Sequence, residues 1–99
     1  MSIYETLQKT NLPCAYSHFQ KPVEPPFIVY LGAGSDVFRA DNTHYNTRNN
    51  YQIEYYFTQK DEAAERAIES VLLADGWVFT KSDDSYIESE GLFVIYYTC

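Results

Sequence analysis

The segment YQIEYYF, residues 51–57, constrains the fold of this chain more than any other stretch of it. Aromatic and aliphatic residues occupy every second position, namely Tyr51, Ile53, Tyr55 and Phe57. Gln52, Glu54 and Tyr56 fill the positions between them. Because successive side chains of a strand point to opposite faces, this alternation predicts a β-strand with one apolar and one more polar face. Such a strand needs neighbouring strands and a layer that covers its apolar face.

The segment that follows, residues 61–75, predicts the covering layer. Its apolar residues recur at helical spacing: Ala64, Ala67, Ile68, Val71, Leu72 and Leu73. Asp61 and Glu62 suit the positive N-terminal end of a helix, and Gly76 suits its C-terminal stop. We therefore expect a helix over residues 61–75 that packs on one face of the sheet.

The rest of the chain predicts a second helix and further strands. Ser2 and Glu5 have capping-box spacing, which predicts a short helix over residues 2–10. Alternating or continuous apolar runs predict strands at 14–19, 27–31 and 92–98, and a hairpin formed by 77–81 and 85–89. Three prolines within residues 20–26 predict a connector. The expected fold is α+β, with one mainly antiparallel sheet in the order α-β-β-β-α-β-β.

Size and charge narrow the classes of function. The 99 residues fit a single domain over 1–99, and a single small domain favours a binding or assembly unit over an enzyme that closes around its substrate. A hydrophobic content of 45% predicts a folded chain. The formal net charge of −7 argues against nucleic-acid binding, since affinity for phosphates depends on Lys and Arg.

Cysteine usage and hydropathy bear on the compartment. Cys14 and Cys99 have neither a disulfide-dense pattern nor a metal-site spacing, so we expect free thiols in a reducing compartment. The first residues, MSIYETLQKT, lack the pattern of a signal peptide, and no apolar run reaches the length of a membrane span. These features predict a soluble protein of the cytoplasm that does not contact a membrane.

The glycine-containing segment YLGAGSDVFRADN, residues 30–42, raises the possibility of a phosphate-binding loop. A dinucleotide fingerprint needs a third small residue and a helix directly after it. Here Phe38 follows Val37, and the next residues have no helical pattern. We therefore expect Gly32 and Gly34 to supply unusual backbone angles where a strand ends. Residues 32–50 are polar and turn-prone, and they predict an extended hairpin arm.

No set of residues indicates a reaction. His18 and His44 are far apart in the sequence, and Cys14 lacks a motif that would lower its pKa. The loops contain acidic residues, as any acidic protein does: Asp36, Asp41, Asp83, Asp84, Glu88 and Glu90. The sequence predicts no catalytic residue, no cofactor and no metal ligand. The alternative hypothesis is a small cytosolic enzyme or ligand-binding domain that uses the loop of residues 32–41.

The chain is unusually rich in aromatic residues, with ten tyrosines and six phenylalanines. Tyrosine suits half-exposed positions at protein contacts, but strands also favour aromatic residues, so both interpretations stay open. Each of the pairs Tyr55–Tyr56 and Tyr96–Tyr97 directs one ring to each face of the sheet. An exposed ring marks an interface, and a covered ring belongs to the core.

Residues 25–97 resemble a known protein family. The resemblance lies in the proline-led strand of PPFIVYL, the glycine turn with ADN, the strand YQIEYY, the acidic helix start and the segment YIESE. These patterns are similar to small tail-terminator or head-to-tail joining proteins of siphophages and prophages of Gram-positive bacteria.

The resemblance implies a structural virion protein without catalytic residues. Family members form a ring, usually of six copies, that caps the tail tube and docks it to the head connector. The implied partners are further copies of the chain, the major tail protein and connector proteins, in the host cytoplasm during assembly and then in the virion. Residues 32–50 match the long hairpin of the family, which makes contacts around the ring. The candidate interface residues are Gly32, Gly34, Phe38, Arg39, Tyr45, Arg48, Tyr56 and Tyr97.

Overall fold

A computed structural model describes residues 2–39 and 45–99 of the chain. The described elements are α1 (Ile3–Gln8), β1 (Cys14–Tyr16), β2 (Phe27–Arg39), β3 (Tyr45–Phe57), α2 (Glu62–Ala74), β4 (Thr80–Lys81), β5 (Ser85–Ile87) and β6 (Leu92–Thr98). The strands form one sheet in the order β1-β2-β3-β6, and β4 and β5 both pair with the far edge of β6. All pairs are antiparallel except β1 with β2. The predicted α+β class and the single, mainly antiparallel sheet are confirmed.

Both predicted helices form, the first with the predicted capping box, and the second with Asp61 as its N-cap. In α1 the Ser2 hydroxyl accepts a hydrogen bond from the Glu5 amide at 3.1 Å, and the Ser2 amide donates to the Glu5 carboxylate at 3.2 Å. In α2 the Asp61 carboxylate accepts from the amides of Ala63 and Ala64 at 3.1 and 3.3 Å. These bonds satisfy N–H groups that the first turn of a helix leaves unpaired. Gly76 follows α2 with a φ of 85°, as expected for a helix stop.

The two faces of the sheet differ in what covers them. Side chains from α1, α2 and one sheet face form the core, which contains Ile3, Leu7, Ile28, Ile53, Tyr55, Phe57, Ile68, Leu72, Ile95, Tyr97 and Cys99. The apolar face predicted for β3 is therefore the one that the helices cover. On the opposite face the segment 17–26 lies against one end of the sheet, where the rings of Phe19 and Phe27 are 5.4 Å apart. We call this second face the open face.

The predicted hairpin between residues 77–81 and 85–89 is wrong. β4 and β5 do not pair with each other, because both lie along β6 as one interrupted edge strand. Ser82 holds the interruption in place, since its amide donates to the Tyr96 carbonyl and its hydroxyl accepts from the Tyr96 amide, both at 2.9 Å. The hairpin is instead formed by β5 and β6, with Gly91 at a φ of 65° in the turn. With β4 and β5 counted as one strand, the element order matches the prediction.

β2 and β3 are much longer than predicted, with 13 residues each. β6 pairs with β3 from Gln52 to Phe57, and β1 pairs with β2 only from Ile28 to Tyr30. Residues 33–39 and 45–50 therefore extend beyond their neighbours as a two-stranded ribbon, which we call the arm. The radius of gyration is 14.9 Å, above the roughly 13 Å of a compact domain of this size, and the longest dimension is 51 Å.

Candidate interaction surface

Gly32 and Gly34, which raised the possibility of a phosphate-binding loop, lie within β2 and not in a loop. Between Gly32 and Ser35 the pairing with β3 shifts by one residue, which is a β-bulge. Gly34 has a φ of 90° there, as predicted, but the backbone of Gly32 is not in the left-handed region. The chain continues as a strand to Arg39, so no helix start faces these glycines. Asp41, at the other end of the proposed loop, lies outside the described residues, as does His44.

The bulge marks the root of the arm, and several predicted interface residues lie farther along the arm. Arg39 pairs with Tyr45 at the far end of the described ribbon, Phe38 is next to it on β2, and Arg48 is nearer the root on β3. Among the described residues no strand pairs with the outer edges of 35–39 and 45–49. A two-stranded ribbon without further strands is only marginally stable in water. The outer edges of residues 35–39 and 45–49 are therefore open to pairing or packing with another molecule.

Tyr56 lies on the open face, as the alternation of β3 predicted. Its hydroxyl donates to the Glu54 carboxylate at 2.6 Å, and the Gln52 amide donates to the other oxygen of that carboxylate at 3.0 Å. Burial and the bond to Glu54 raise the pKa of Tyr56, so its hydroxyl stays protonated and keeps donating. The ring stacks on Phe27 with 5.1 Å between centroids. Tyr56 thus presents a fixed, half-buried aromatic surface.

Tyr97 is fully buried beneath α2, which removes it from the candidate surface. Its hydroxyl donates to the Glu69 carboxylate at 2.8 Å, and its ring contacts Phe79. The neighbouring Tyr96 is the tyrosine of this pair that shares the open face with Glu54, its partner on β3. Both tyrosine pairs follow the predicted division between faces, and Tyr55 and Tyr97 are the covered members.

A cleft that the sequence did not predict lies at one end of the open face. Its floor is formed by Phe27, Val29, Tyr56 and Leu92, and its wall by the connector between β1 and β2. The cleft has a volume of about 810 Å³ and is mostly apolar, and the wall includes Phe19, Pro22, Val23 and Pro25. The sequence signal for this cleft was the set of prolines and apolar residues in the connector, because a loop that only runs over the surface does not require them.

Side chains that could react or bind a metal are scattered among the described residues. His18 is exposed beyond the end of β1, with its Nδ1 3.3 Å from the Ser17 hydroxyl. Burial raises the pKa of the Cys14 thiol to about 11, which keeps it protonated at neutral pH. Residues 2–39 and 45–99 contain no group of three or more His, Cys, Asp or Glu side chains placed to hold a metal ion. Within the same residues no helix is long and apolar enough to cross a membrane.

Comparisons with known proteins leave the family open. No protein-family model matches the chain, and no curated protein matches it.

Proposed function

We propose that this chain is a structural assembly protein that forms a ring of identical copies through its arm. The observation that carries the proposal is the two-stranded ribbon of residues 33–39 and 45–50, which extends past the sheet and whose outer edges at 35–39 and 45–49 pair with no other described strand. A marginal ribbon of this kind gains stability when another molecule packs against it. The open face supplies a second surface, with the fixed aromatic residues Phe27 and Tyr56.

We further propose that the ring belongs to the tail of a siphophage or prophage, as a tail terminator or head-to-tail joining protein. The support for this step is the resemblance of residues 25–97 to that family, together with a long hairpin at the position the family would have it. In this role the ring contacts the major tail protein on one side and the head connector on the other. The acidic balance of the chain suits a ring that encloses DNA without binding it.

The proposal is tested by measuring assembly of the wild-type chain and of a chain without the arm. Gly32 and Tyr51 are paired across the hairpin, so replacing residues 33–50 by Asn-Gly closes it with a favoured two-residue turn. Analytical ultracentrifugation, alone and with purified tail tubes, should show assembly of the wild type and a monomer for the armless chain. A wild type that stays monomeric under both conditions would refute the proposal.

The same preparations address the alternative of ligand binding through residues 32–41. A ligand that binds only the folded chain raises its melting temperature. A thermal-shift screen with nucleotides should leave the wild type unchanged if the arm is an assembly element. A shift that disappears in the armless chain would favour the alternative.

A further inference from the structure

We propose that the cleft on the open face receives the arm of a second copy of this chain. This inference rests on the proposed function and names the surface that the arm contacts. The cleft offers a mostly apolar space of about 810 Å³ lined by Phe19, Val23, Phe27 and Leu92. That volume is in the range of small-molecule sites, and the cleft is open to solvent, so side chains of another chain can enter it.

The arm of the same molecule does not reach this cleft. Phe27, in the floor of the cleft, begins β2, and Arg39, in the arm, ends it. The two residues are twelve positions apart along the strand, a distance of roughly 40 Å at 3.3 Å per residue. The arm and the cleft thus lie at opposite ends of one continuous strand. Only another molecule can bring an arm into the cleft.

Charge favours the arm over the rest of the chain as the occupant. Residues 32–50 contain two arginines and two aspartates, so the formal charge of −7 belongs entirely to the remaining residues. Contact between these remaining residues of two copies brings negative charges together, and this repulsion opposes association. The segment 32–50 has no net charge, so its entry into the cleft of a neighbour avoids that repulsion. Arg39 and Arg48 also place two of the three arginines of the chain on the arm.

The pairing of an arm with a cleft is heterologous, because the two contacting surfaces differ. Each copy donates one arm and accepts one, and the contact repeats from copy to copy. A heterologous contact closes into a ring when its rotation permits, and otherwise it forms a filament. The inference therefore explains how one small chain has both surfaces that a ring requires.

The test is a complementation experiment with two variants, each of which lacks one surface. The armless chain, with residues 33–50 replaced by Asn-Gly, can only accept an arm. Val23→Glu, in the wall of the cleft, can only donate one. Each variant alone should be monomeric at about 0.1 mM, where a dissociation constant of about 1 μM leaves most wild-type chains associated. An equimolar mixture should form a complex of two chains and nothing larger.

Val78→Glu is the matched control, because it makes the same change at a valine that is 71% exposed and outside the cleft. It should assemble like the wild type. If the wild type assembles and Val23→Glu assembles equally well, the cleft does not receive the arm, although the proposed function stands. If the wild type never assembles, the proposed function itself fails.

Cross-linking covers the case in which a blocking variant does not fold. In a Cys14→Ser background, Val23→Cys and Phe38→Cys are prepared separately and treated with a short bismaleimide. Cross-linked dimers should form in the mixture and in neither preparation alone. Dimers of Phe38→Cys with itself would indicate arm-to-arm contact, and an absence of cross-links in assembled rings would mean that the arm does not lie in the cleft. Either result would overturn the inference.

Discussion

Glu65 is the position at which the fold is most open to a quantitative test. This carboxylate is on α2 and only 2% exposed, and it lies between two lysines. Lys81 donates a hydrogen bond to Oε1 at 2.9 Å, and Lys60 forms an ion pair with Oε2 at 2.7 Å. The contacts extend to Glu69 through Lys81 and to Asp84 through Lys60. These contacts join α2 to the interrupted edge strand of the sheet.

Substitution of Glu65 by Gln keeps the shape of the side chain and removes its charge. A hydrogen bond to a charged group contributes about 1.5 to 3 kcal/mol, and breaking a fully buried ion pair costs about 3 to 5 kcal/mol. Both lysines are more than a third exposed, and each keeps a second carboxylate, so water and these partners offset much of the loss. We expect a loss of ~2 kcal/mol in the free energy of unfolding. For a domain of this size that lowers Tm by about 8 to 16 °C.

The assay is thermal and urea unfolding of Glu65→Gln at several pH values, compared with Glu62→Gln. Glu62 is on the same helix, 72% exposed and 4.0 Å from Arg66, so its loss should change the free energy of unfolding by no more than ~0.5 kcal/mol. A Glu65→Gln chain as stable as Glu62→Gln at pH 7 would refute the reasoning. It would mean that the desolvation of Glu65 cancels its attraction to the lysines.

The pH dependence gives a second check on the same residue. Burial opposes ionisation of the carboxyl group, but the contacts with Lys60 and Lys81 outweigh it and hold the pKa of Glu65 below its usual value. The unfolded chain then binds more protons than the folded one as the pH falls. The stability that Glu65 supplies is therefore complete above about pH 4.3, its ordinary pKa, and is lost as the pH falls through the lowered pKa. The gap between the wild type and Glu65→Gln should narrow in that range.

Three further predictions concern other parts of the chain. Tyr97→Phe removes the hydrogen bond to Glu69 and should lower the free energy of unfolding by ~1 kcal/mol in urea, whereas Tyr96→Phe, on the open face, should have a smaller effect. Gly34→Ala meets no atom within 4 Å but forces a side chain into a φ of 90°, so it should destabilise the arm by ~1 kcal/mol, and hydrogen exchange should rise there and not in β6. The rate of Cys14 alkylation, followed by mass spectrometry, should keep rising with pH beyond about pH 9.5, where an ordinary cysteine is already ionised. A rate that levels off below that pH would contradict the burial of the thiol.

The elements with a regular local pattern could be predicted from the sequence. The alternation of residues 51–57 identified the strand and its covered face, and Ser2, Asp61 and Gly76 identified helix ends. These signals work because each depends on residues only two to four positions apart. The stripe predicted for α2 was less accurate, since Leu73 is 57% exposed while Glu65 is buried. A lysine from a distant strand is what makes that burial tolerable, and the local pattern does not contain it.

The candidate surface was predicted only in part, for a related reason. The division of tyrosines between two faces follows from alternation, but alternation alone does not say which face the helices cover at Tyr97. The cleft depends on where the segment 17–26 lies after the prolines interrupt the ladder. That β2 and β3 continue into the arm as single 13-residue strands was also beyond a local pattern, because the polar residues of the arm are typical of turns as well as of exposed strands.

By itself, the sequence determined the fold class, the positions of the helices and the main strands, because these follow from periodicity and helix caps along the chain. It also separated the arm from the rest of the chain, because residues 32–50 are polar and turn-prone. Only the tertiary structure decided which strand pairs with β6, that Glu65 is buried between two lysines, and that the arm and the cleft lie at opposite ends of β2. Those features depend on contacts between residues far apart in the chain, and such contacts exist only once the layers have packed together.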